Sequence, residues 1–287
     1  MEQKTKLKLV IFSDIHYADE IPSPTDSSTT IKRDEGFLET EKKLIHLAVP
    51  VLNKLIDKIN NEIKPDVAIN LGDLIEDFDN REQDIDNLKY IWSLLKNIDA
   101  QFYSVAGNHD LRSMHSRKEV EDIMGYNHST YSVDINGYHL VFIGNDIREE
   151  YGNFEGGIFK TQFISEEDLK WLEKDLKQNN LPSLIFTHFG VAEDEMKGNW
   201  WFENLPEAAL LGNRNDLKKI LKQDKNLLGV FSGHQHWTKR ITEDGIDYHV
   251  IGALIENINN DGIPDGVYFE VELEGHNIKV SKNHVKL

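Results

Sequence analysis

Apolar runs alternate with amphipathic segments along the first hundred residues of the chain. Residues 7–12, 66–71 and 101–106 are short and mostly apolar, a pattern typical of buried strands. Between them, apolar residues recur at helical spacing over residues 44–59 and again over 88–98. This order of strands and helices predicts parallel strands that are joined by right-handed crossovers.

Polar and proline-containing stretches separate these elements. Residues 19–33 contain Ser, Thr and Pro, so we predict a loop there. Pro50 should kink or split the first helix, and Pro65 should end it. The acidic run over residues 76–86 indicates a solvated loop or helix face.

The second half of the chain has a mixed pattern. Asn136 and Gly137 lie between two strand-like segments, residues 131–135 and 139–143, and predict a hairpin. Ser165 is a suitable N-cap for a helix that runs to Leu176. The other predicted elements are a helix over 216–221 and strands over 183–186, 227–231, 238–242, 248–251, 266–273 and 277–281. No repeat, linker or low-complexity tract divides the sequence, so we predict a single domain, residues 1–287.

Charge and cysteine content narrow the possible functions. A net charge of −18 argues against nucleic-acid partners and anionic membrane surfaces, because both need a basic footprint. The sequence has no cysteine, so any metal ion must be held by His, Asp, Glu or Asn. No segment approaches the ~20 apolar residues of a membrane span, and we expect a cytoplasmic protein. A secreted form that had lost its signal peptide would look the same.

Five of the predicted strands are followed within a few positions by residues that can bind metal ions. They are Asp14 and His16, then Asp73, then Asn108 and His109, then His188, and finally His234 and His236. In open α/β sheets, ligands gather at the carboxyl ends of the strands. We therefore expect these side chains to converge along one rim of the sheets.

This set of ligands indicates two metal ions. It is too large for one tetrahedral zinc, and its mixture of oxygen and nitrogen suits ions such as Mn, Fe, Zn or Ni. It fits two ions about 3.5–4 Å apart that share a carboxylate and a hydroxide. Such a pair activates water, fixes ester oxygens and neutralises developing charge, which are the requirements of phosphoryl transfer.

Each motif alone also has an ordinary structural explanation. A Gly-Asp pair is commonly a turn, and a histidine in an apolar run such as residues 185–189 is more often a satisfied core residue. Five such motifs in series, each at a strand end, favour the metal site instead. The remaining histidines have no such context, and we interpret them as structural or solvated; they are His46, His115, His128, His139, His249, His276 and His284.

The motifs resemble those of a known enzyme superfamily. In chain order they read D-x-H from Asp14, G-D at Asp73, G-N-H-D from Gly107, an isolated His188, and G-H-x-H from Gly233. This series resembles the signature of the calcineurin-like metallophosphoesterases. The resemblance implies an α/β fold of the metallo-dependent phosphatase type, a four-layer αββα sandwich in which helices flank two mixed β-sheets.

The resemblance also implies roles for individual residues. One ion would be held by Asp14, His16 and His236, the other by Asn108, His188 and His234, with Asp73 between them. His109 would be the general acid, or the group that steadies the transition state beside the leaving oxygen. Asp110 would order the loop, or act only as a turn residue. Glu76 occupies the place of an acidic residue that orients the catalytic histidine, with Asp77 as a possible substitute.

The sequence departs from the protein serine/threonine phosphatase branch of the superfamily. Tyr17 replaces the glycine that follows D-x-H in that branch, and residues 75–78 lack its arginine. The pattern is closer to the small-molecule branch, which includes class III cyclic-nucleotide phosphodiesterases and manganese-dependent nucleotide-diphosphate hydrolases. A phosphoprotein substrate is therefore disfavoured.

These observations predict a di-metal phosphohydrolase that cleaves phosphodiesters, phosphomonoesters or nucleotide pyrophosphates by in-line attack of a metal-bridging hydroxide. The expected partner is a small-molecule phosphate ester, with a nucleotide as one option. A catalytically silent scaffold of the same fold and a nuclease are the alternatives, and the net charge of −18 disfavours the nuclease.

Substrate recognition rests on weaker signals. The aromatic run over residues 199–202 could form a wall against a base, or could be ordinary helix packing. Tyr17 and Trp237 adjoin metal ligands and could line the pocket. Arg33 could reach a second phosphate or be an ordinary surface residue.

Overall fold

The structure, a computed structural model, describes residues 5–19, 42–78, 80–154 and 157–287. Most of the predicted loop over 19–33, with Arg33, lies outside these ranges. The strands are β1 Lys6–Phe12, β2 Val67–Asn70, β3 Gln101–Ser104, β4 Tyr131–Ile135, β5 Tyr138–Phe142, β6 Asp146–Phe154, β7 Gly157–Phe163, β8 Ser183–Phe186, β9 Leu227–Ser232, β10 Lys239–Glu243, β11 Ile246–Val250, β12 Val267–Glu274 and β13 Asn277–His284. The helices are α1 Ala48–Lys58, α2 Arg81–Leu95, α3 Asn108–Arg112, α4 Arg117–Met124, α5 Glu166–Gln178, α6 Pro206–Ala209 and α7 Arg214–Leu221.

Two mixed sheets form the centre of the fold. The first has the strand order β13-β12-β1-β2-β3, and its β1, β2 and β3 are parallel as predicted. The second has the order β10-β11-β9-β8-β5-β4, with β5, β8, β9 and β11 parallel. The hairpin of β4 and β5 turns at Asn136 and Gly137, both with positive φ, as the sequence predicts.

Three apolar clusters separate four layers. One lies between the sheets and includes Leu9, Ile69 and Phe231. A second packs α1, α2 and α4 against the outer face of the first sheet, and a third packs α5 and α7 against the second sheet. This arrangement confirms the predicted αββα sandwich. Because the two sheets share an apolar cluster, we propose that residues 1–287 form one domain.

Several predicted details were wrong. Pro50 does not kink α1, because it lies in the first turn, where backbone N–H groups have no partner within the helix. The alternative prediction, a split, agrees with the structure, since the helical pattern is divided just before Pro50 into a 3₁₀ turn over Ile45–Leu47 and α1. Strand β3 is an edge strand, and Gln101 is exposed rather than buried. The acidic run is not wholly solvated, since Glu76 and Asp84 are buried. The hairpin of β6 and β7 had not been predicted.

Within the described part of the chain, no helix is both long enough and apolar enough to cross a bilayer.

Candidate metal centre

The strand ends of both sheets bring all of the predicted ligands together. Asp14 and His16 follow β1, Asp73 follows β2, Asn108 begins α3 after β3, His188 follows β8, and His234 and His236 follow β9. All seven side chains are buried. The structure thus collects, at one place between the sheets, residues that are up to 222 positions apart (14 to 236) in the sequence.

The first group of predicted ligands is Asp14, His16 and His236, which we call the Asp14 half. The Nε2 atoms of His16 and His236 lie 3.0 Å apart. Oδ1 of Asp14 lies 3.8 Å from Nε2 of His16 and 3.5 Å from Nε2 of His236. These three atoms are close enough to hold one metal ion.

The second group is Asn108, His188 and His234, which we call the Asn108 half. Nε2 of His188 lies 3.2 Å from Oδ1 of Asn108. His234 joins His188 and Asp73 in a cluster whose ligand atoms all lie within 4.8 Å of one another. The backbone N–H of His234 points at the Asp14 carboxylate, with its nitrogen 3.1 Å from Oδ2, so the two halves are tied together.

Asp73 lies between the two halves. Its Oδ2 is 3.8 Å from Nε2 of His16 and 3.2 Å from Nε2 of His188. Its Oδ1 accepts a hydrogen bond of 2.8 Å from the backbone N–H of His109. Among the described residues, Oδ2 is buried and accepts no hydrogen bond. One carboxylate oxygen is therefore available to both halves.

The hydrogen-bond partners of the histidines test whether metal ions fit. Nδ1 of His188 lies 2.6 Å from the Leu71 carbonyl and Nδ1 of His236 lies 2.8 Å from Oε2 of Glu256, so both Nδ1 atoms carry the proton. The opposite Nε2 atoms then present lone pairs. Nε2 of His188 faces the oxygens of Asp73 and Asn108, and Nε2 of His236 faces Nε2 of His16. A cation placed between them would satisfy lone pairs that converge in this way, so the residues fit metal ions.

Electrostatics agree with this fit. Burial lowers the pKa of His234 well below its ordinary value, so the ring is neutral near pH 7 and can offer a lone pair. Burial also disfavours the charged form of His188, but the Asp73 carboxylate outweighs it and raises the pKa to about 9. A cation, either a proton or a metal ion, is thus favoured between His188 and Asp73.

The backbone is strained at the ligands. Asp14, His16, Asp73, His234 and His236 all have φ between 48° and 65°. Non-glycine residues rarely adopt this left-handed conformation, which costs on the order of 1–3 kcal/mol each. Hydrogen bonds between ligand loops hold it, among them those from the N–H groups of Ile15 and His16 to the Asp73 carbonyl. Such strain is typical of functional sites.

Glycines in the motifs permit close approach of these loops. A Cβ on Gly107 would lie 2.1 Å from Oδ1 of Asp73. A Cβ on Gly233 would lie 2.0 Å from Oγ of Ser13 and 2.7 Å from Oδ2 of Asp14. Glycine is therefore required before Asn108 and before His234, because any side chain there would clash with residues of the centre.

The residues predicted to be catalytic adjoin the ligands. The His109 ring stands edge-on to His16, with ring centroids 4.8 Å apart. Nδ1 of His109 lies 2.5 Å from Oδ1 of Asp77 and 3.3 Å from Oε1 of Glu76, so the substitute considered for Glu76 is the nearer carboxylate. Oε2 of Glu76 lies 2.7 Å from Nδ1 of His16, but the angle at this nitrogen is not that of a hydrogen bond.

Asp110 points into the loops rather than toward the ligands. Its Oδ2 accepts a hydrogen bond from the N–H of Gly107, and its Oδ1 accepts bonds from the N–H groups of Leu74 and Ile75. Burial, together with the nearby Asp73 carboxylate, raises the pKa of Asp110 to about 7. Asp110 thus joins the G-D and G-N-H-D loops.

Three neighbours of the ligands had not been predicted from the sequence. Oε2 of Glu256 accepts a hydrogen bond from His236, and Oε1 accepts one from the indole N–H of Trp201 at 3.1 Å. The buried Lys43 donates a 2.8 Å hydrogen bond to Glu76. The one available signal was that Glu256, like the ligands, closely follows a strand, β11. Trp201 had been considered only as part of a substrate wall.

The other histidines take no part in the described clusters of potential metal ligands. His139 is buried between Asp134 and Asp175, with ring-nitrogen distances of 2.7 and 2.9 Å to their carboxylates. His249 is buried and stacks on Phe231. Both are structural, in line with the sequence interpretation.

Comparison with known proteins places the chain in a family. A sequence model of the calcineurin-like phosphoesterases matches residues 7–238. No curated protein sequence matches the chain. A dimetal phosphatase from Danio rerio has a similar structure, with 17% identity, a TM-score of 0.66, and coverage of 98% of this chain and 99% of that one. The protein TT1561 of Thermus thermophilus is also similar, with 15% identity, a TM-score of 0.56, and coverage of 98% and 100%. The chain therefore belongs to the calcineurin-like phosphoesterase family, whose members are metal-dependent hydrolases.

Proposed function

We propose that this protein hydrolyses a small-molecule phosphate ester with two divalent ions, Mn, Fe or Zn, bound at the centre. The observation that supports the proposal best is the position of Asp73, whose buried Oδ2 lies between the two groups of ligands. One ion would be held by the Asp14 half, the other by the Asn108 half, and Asp73 would contribute to both. Two such ions lower the pKa of water and neutralise charge that develops on phosphoryl oxygens.

His109 would donate a proton to the departing oxygen. Its Nδ1 faces Asp77 and Glu76, and its Nε2, which lies 3.4 Å from a guanidinium nitrogen of Arg112, would face the substrate. The two carboxylates orient the ring, and a general acid must be held in reach of the leaving oxygen. Arg112 lies 3.3 Å from Oδ1 of Asp77 and fixes that carboxylate in turn.

Asn108 has a donor that the described residues do not use. Its Oδ1 faces His188, while its Nδ2 is buried and has no acceptor among the described residues. A phosphoryl oxygen is an acceptor of the right chemistry for this N–H group, and a preorganised donor stabilises charge in the transition state. Asp110, which accepts only backbone hydrogen bonds in the described structure, would act as a positioning residue.

The aromatic run is placed well to contact a ring on the substrate, which could be the base of a nucleotide. The Trp201 ring lies 5.4 Å from that of His236, and the Phe202 ring lies 5.0 Å from that of His234. Trp200 packs against Trp201 and is 52% exposed. If this wall binds a base, Trp200→Ala should raise KM for nucleotides and leave KM for glycerol phosphate unchanged. If the variant and the wild type have the same KM for nucleotides, the aromatic wall does not bind the base.

Hydrolysis of bis-nitrophenyl phosphate tests the proposed function. Protein supplied with Mn²⁺ should hydrolyse the ester, and a chelator should stop the reaction. The Asp73→Asn variant serves as the matched inactive control. Folded wild-type protein that binds Mn²⁺ without hydrolysing this ester, nucleotides or sugar phosphates would favour the scaffold alternative. The cytoplasmic location stays a prediction from the sequence.

A further inference from the structure

The ligand histidines differ in the groups that lie behind them. On the ring nitrogen that faces away from the centre, His188 and His234 meet backbone carbonyls, those of Leu71 at 2.6 Å and Ala208 at 3.0 Å. His16 and His236 meet carboxylates instead, Glu76 at 2.7 Å and Glu256 at 2.8 Å. The Asp14 half is thus backed by two carboxylates, of which Glu76 is paired with the buried Lys43 and Glu256, within the described part of the chain, is not, and the Asn108 half is backed by neutral backbone.

Burial strengthens the effect of these carboxylates on the histidines in front of them. Glu76 and Glu256 are 3% and 2% exposed, so solvent and salt screen them weakly. A carboxylate that accepts the outer N–H of an imidazole makes the inner nitrogen more basic, and loss of such a partner typically costs roughly 10–100-fold in metal affinity. A neutral carbonyl fixes the tautomer but adds no charge.

Glu256 provides the cleaner test of this effect. Glu76 also faces His109 and accepts a hydrogen bond from Lys43, so its replacement would disturb several groups at once. The Glu256 carboxylate faces His236 through Oε2, and Trp201 holds Oε1. The backbone of Glu256 makes separate contacts, a bridge to Lys43 and a hydrogen bond from the N–H of Asp265, which a side-chain change preserves.

We propose that Glu256, held by Trp201, is a positioning residue that makes the two metal sites unequal, so that the Asp14 half binds its ion more tightly and is filled first. This inference rests on the proposed function, because it requires that both halves bind metal. It assigns a role to a side chain that does not itself bind the ion. The Asn108 half, whose histidines are backed by main-chain carbonyls, holds the more exchangeable ion.

The experiment is a titration of metal-free, full-length protein with Mn²⁺, in which free Mn²⁺ is measured by electron paramagnetic resonance. Wild type should bind two ions in two steps. Glu256→Gln keeps the shape of the side chain but removes the charge, and it should weaken the tighter step by roughly 10–100-fold and leave the weaker step unchanged. Asp175→Asn is the matched control, since it removes a carboxylate behind the buried His139, which is not a ligand, and both steps should match wild type.

Trp201→Phe provides an independent variant should Glu256→Gln fail to fold. It keeps the carboxylate but removes its N–H donor, and it should weaken the tighter step by a smaller factor than Glu256→Gln. If Glu256→Gln folds and binds Mn²⁺ in both steps with wild-type affinity, the inference is overturned. If only Trp201→Phe folds, wild-type affinity in both of its steps overturns the inference. An equal loss in both steps, or two equal steps in wild type, would also overturn it while leaving the proposed function intact. Wild type that binds no Mn²⁺ would overturn the proposed function as well.

Discussion

The Asp14 half and the Asn108 half use similar ligands but are held by different parts of the protein. Asp14, His16 and His236 come from the ends of β1 and β9, and buried Glu76 and Glu256 lie behind the histidines. In the Asn108 half, the corresponding positions behind His188 and His234 are occupied by main-chain carbonyls. The first half therefore depends on side chains distant in sequence, whereas the second depends on the path of the backbone.

This difference suggests how two sites with similar predicted ligands can have different affinities for their metal ions. An acidic side chain adds charge and can be replaced without moving the backbone. A main-chain carbonyl adds only geometry, and it is retained as long as the loop keeps its conformation. Asp73 lies between the two halves, with its Oδ2 3.8 Å from Nε2 of His16 and 3.2 Å from Nε2 of His188.

Loss of the Asp73 carboxylate should have the largest effect, because it removes a predicted ligand from both halves at once. Asp73→Asn should lower kcat/KM by roughly 10⁴-fold or more, about 5 kcal/mol in the barrier. Bound metal, measured by elemental analysis, should fall in both halves. Asp122→Asn, at an exposed position on α4, is the control and should behave as wild type. Full activity in Asp73→Asn would contradict a shared ligand.

Removal of the general acid should leave both halves loaded and slow only the chemistry. His109→Ala should lower kcat by roughly 10²–10³-fold for an alkyl phosphate ester, whose leaving group needs a proton. The loss for a nitrophenyl ester should be much smaller, because nitrophenolate leaves without protonation. Equal losses for both esters would exclude the acid role, and loss of metal would show that His109 acts as a ligand.

A methyl group at Gly233 should affect the Asp14 half selectively. Gly233→Ala places a Cβ against Ser13 and Asp14, so we expect a destabilisation of about 1–3 kcal/mol. One of the two ions should be lost on gel filtration. Gly245→Ala is the matched control, because this glycine has a positive φ but open space around it, and it should lose stability without losing metal. Retention of both ions by Gly233→Ala would contradict the prediction.

A smaller effect concerns a carboxylate-backed histidine outside the centre. Burial opposes the charge on His139, but hydrogen bonds to Asp175 and Asp134 outweigh it and raise the pKa. A raised pKa in the folded state stabilises the protein below the ordinary histidine pKa of about 6.5, and this contribution is lost as pH rises through the folded value. Asp175→Asn should therefore lower the free energy of unfolding by about 1 kcal/mol at pH 5.5, and by less at pH 8.5. Urea denaturation at the two pH values measures it, and an effect that is larger at pH 8.5 would contradict it.

His249 provides the opposite case within the same fold. Burial and then the nearby Arg240 lower its pKa to about 4. The unfolded chain binds a proton at this residue more readily than the folded chain, so stability should fall as pH drops from about 6.5 to about 4. Replacement of His249 by Gln should flatten the urea stability profile in that window. An unchanged slope would contradict the prediction.

The sequence was sufficient to predict which side chains cluster at the candidate centre, because each motif is local. Asp14 and His16 directly follow an apolar strand, and the same is true of His234 and His236, so strand prediction places them without knowledge of the tertiary structure. The αββα layers follow from the same strand and helix pattern. The pairing of Asp77 with His109 was harder, because two adjacent carboxylates could reach the ring and only packing decides between them.

The groups behind the histidines could not be predicted, because packing between distant segments brings them there. Glu256 lies 20 residues from His236 and Lys43 lies 33 residues from Glu76, with no motif that connects them. Pro50 likewise could not be placed in the first turn of α1 until the start of that helix was known. Charged residues in β6, such as Arg148 and Glu149, obscured the hairpin with β7.

Anomalous scattering from a crystal grown with Mn²⁺ would test the central claim most directly. We expect two peaks, one among Asp14, His16 and His236 and one among Asn108, His188 and His234, both in contact with Asp73. A single peak, or peaks that lack contact with Asp73, would contradict a centre in which two halves share one carboxylate.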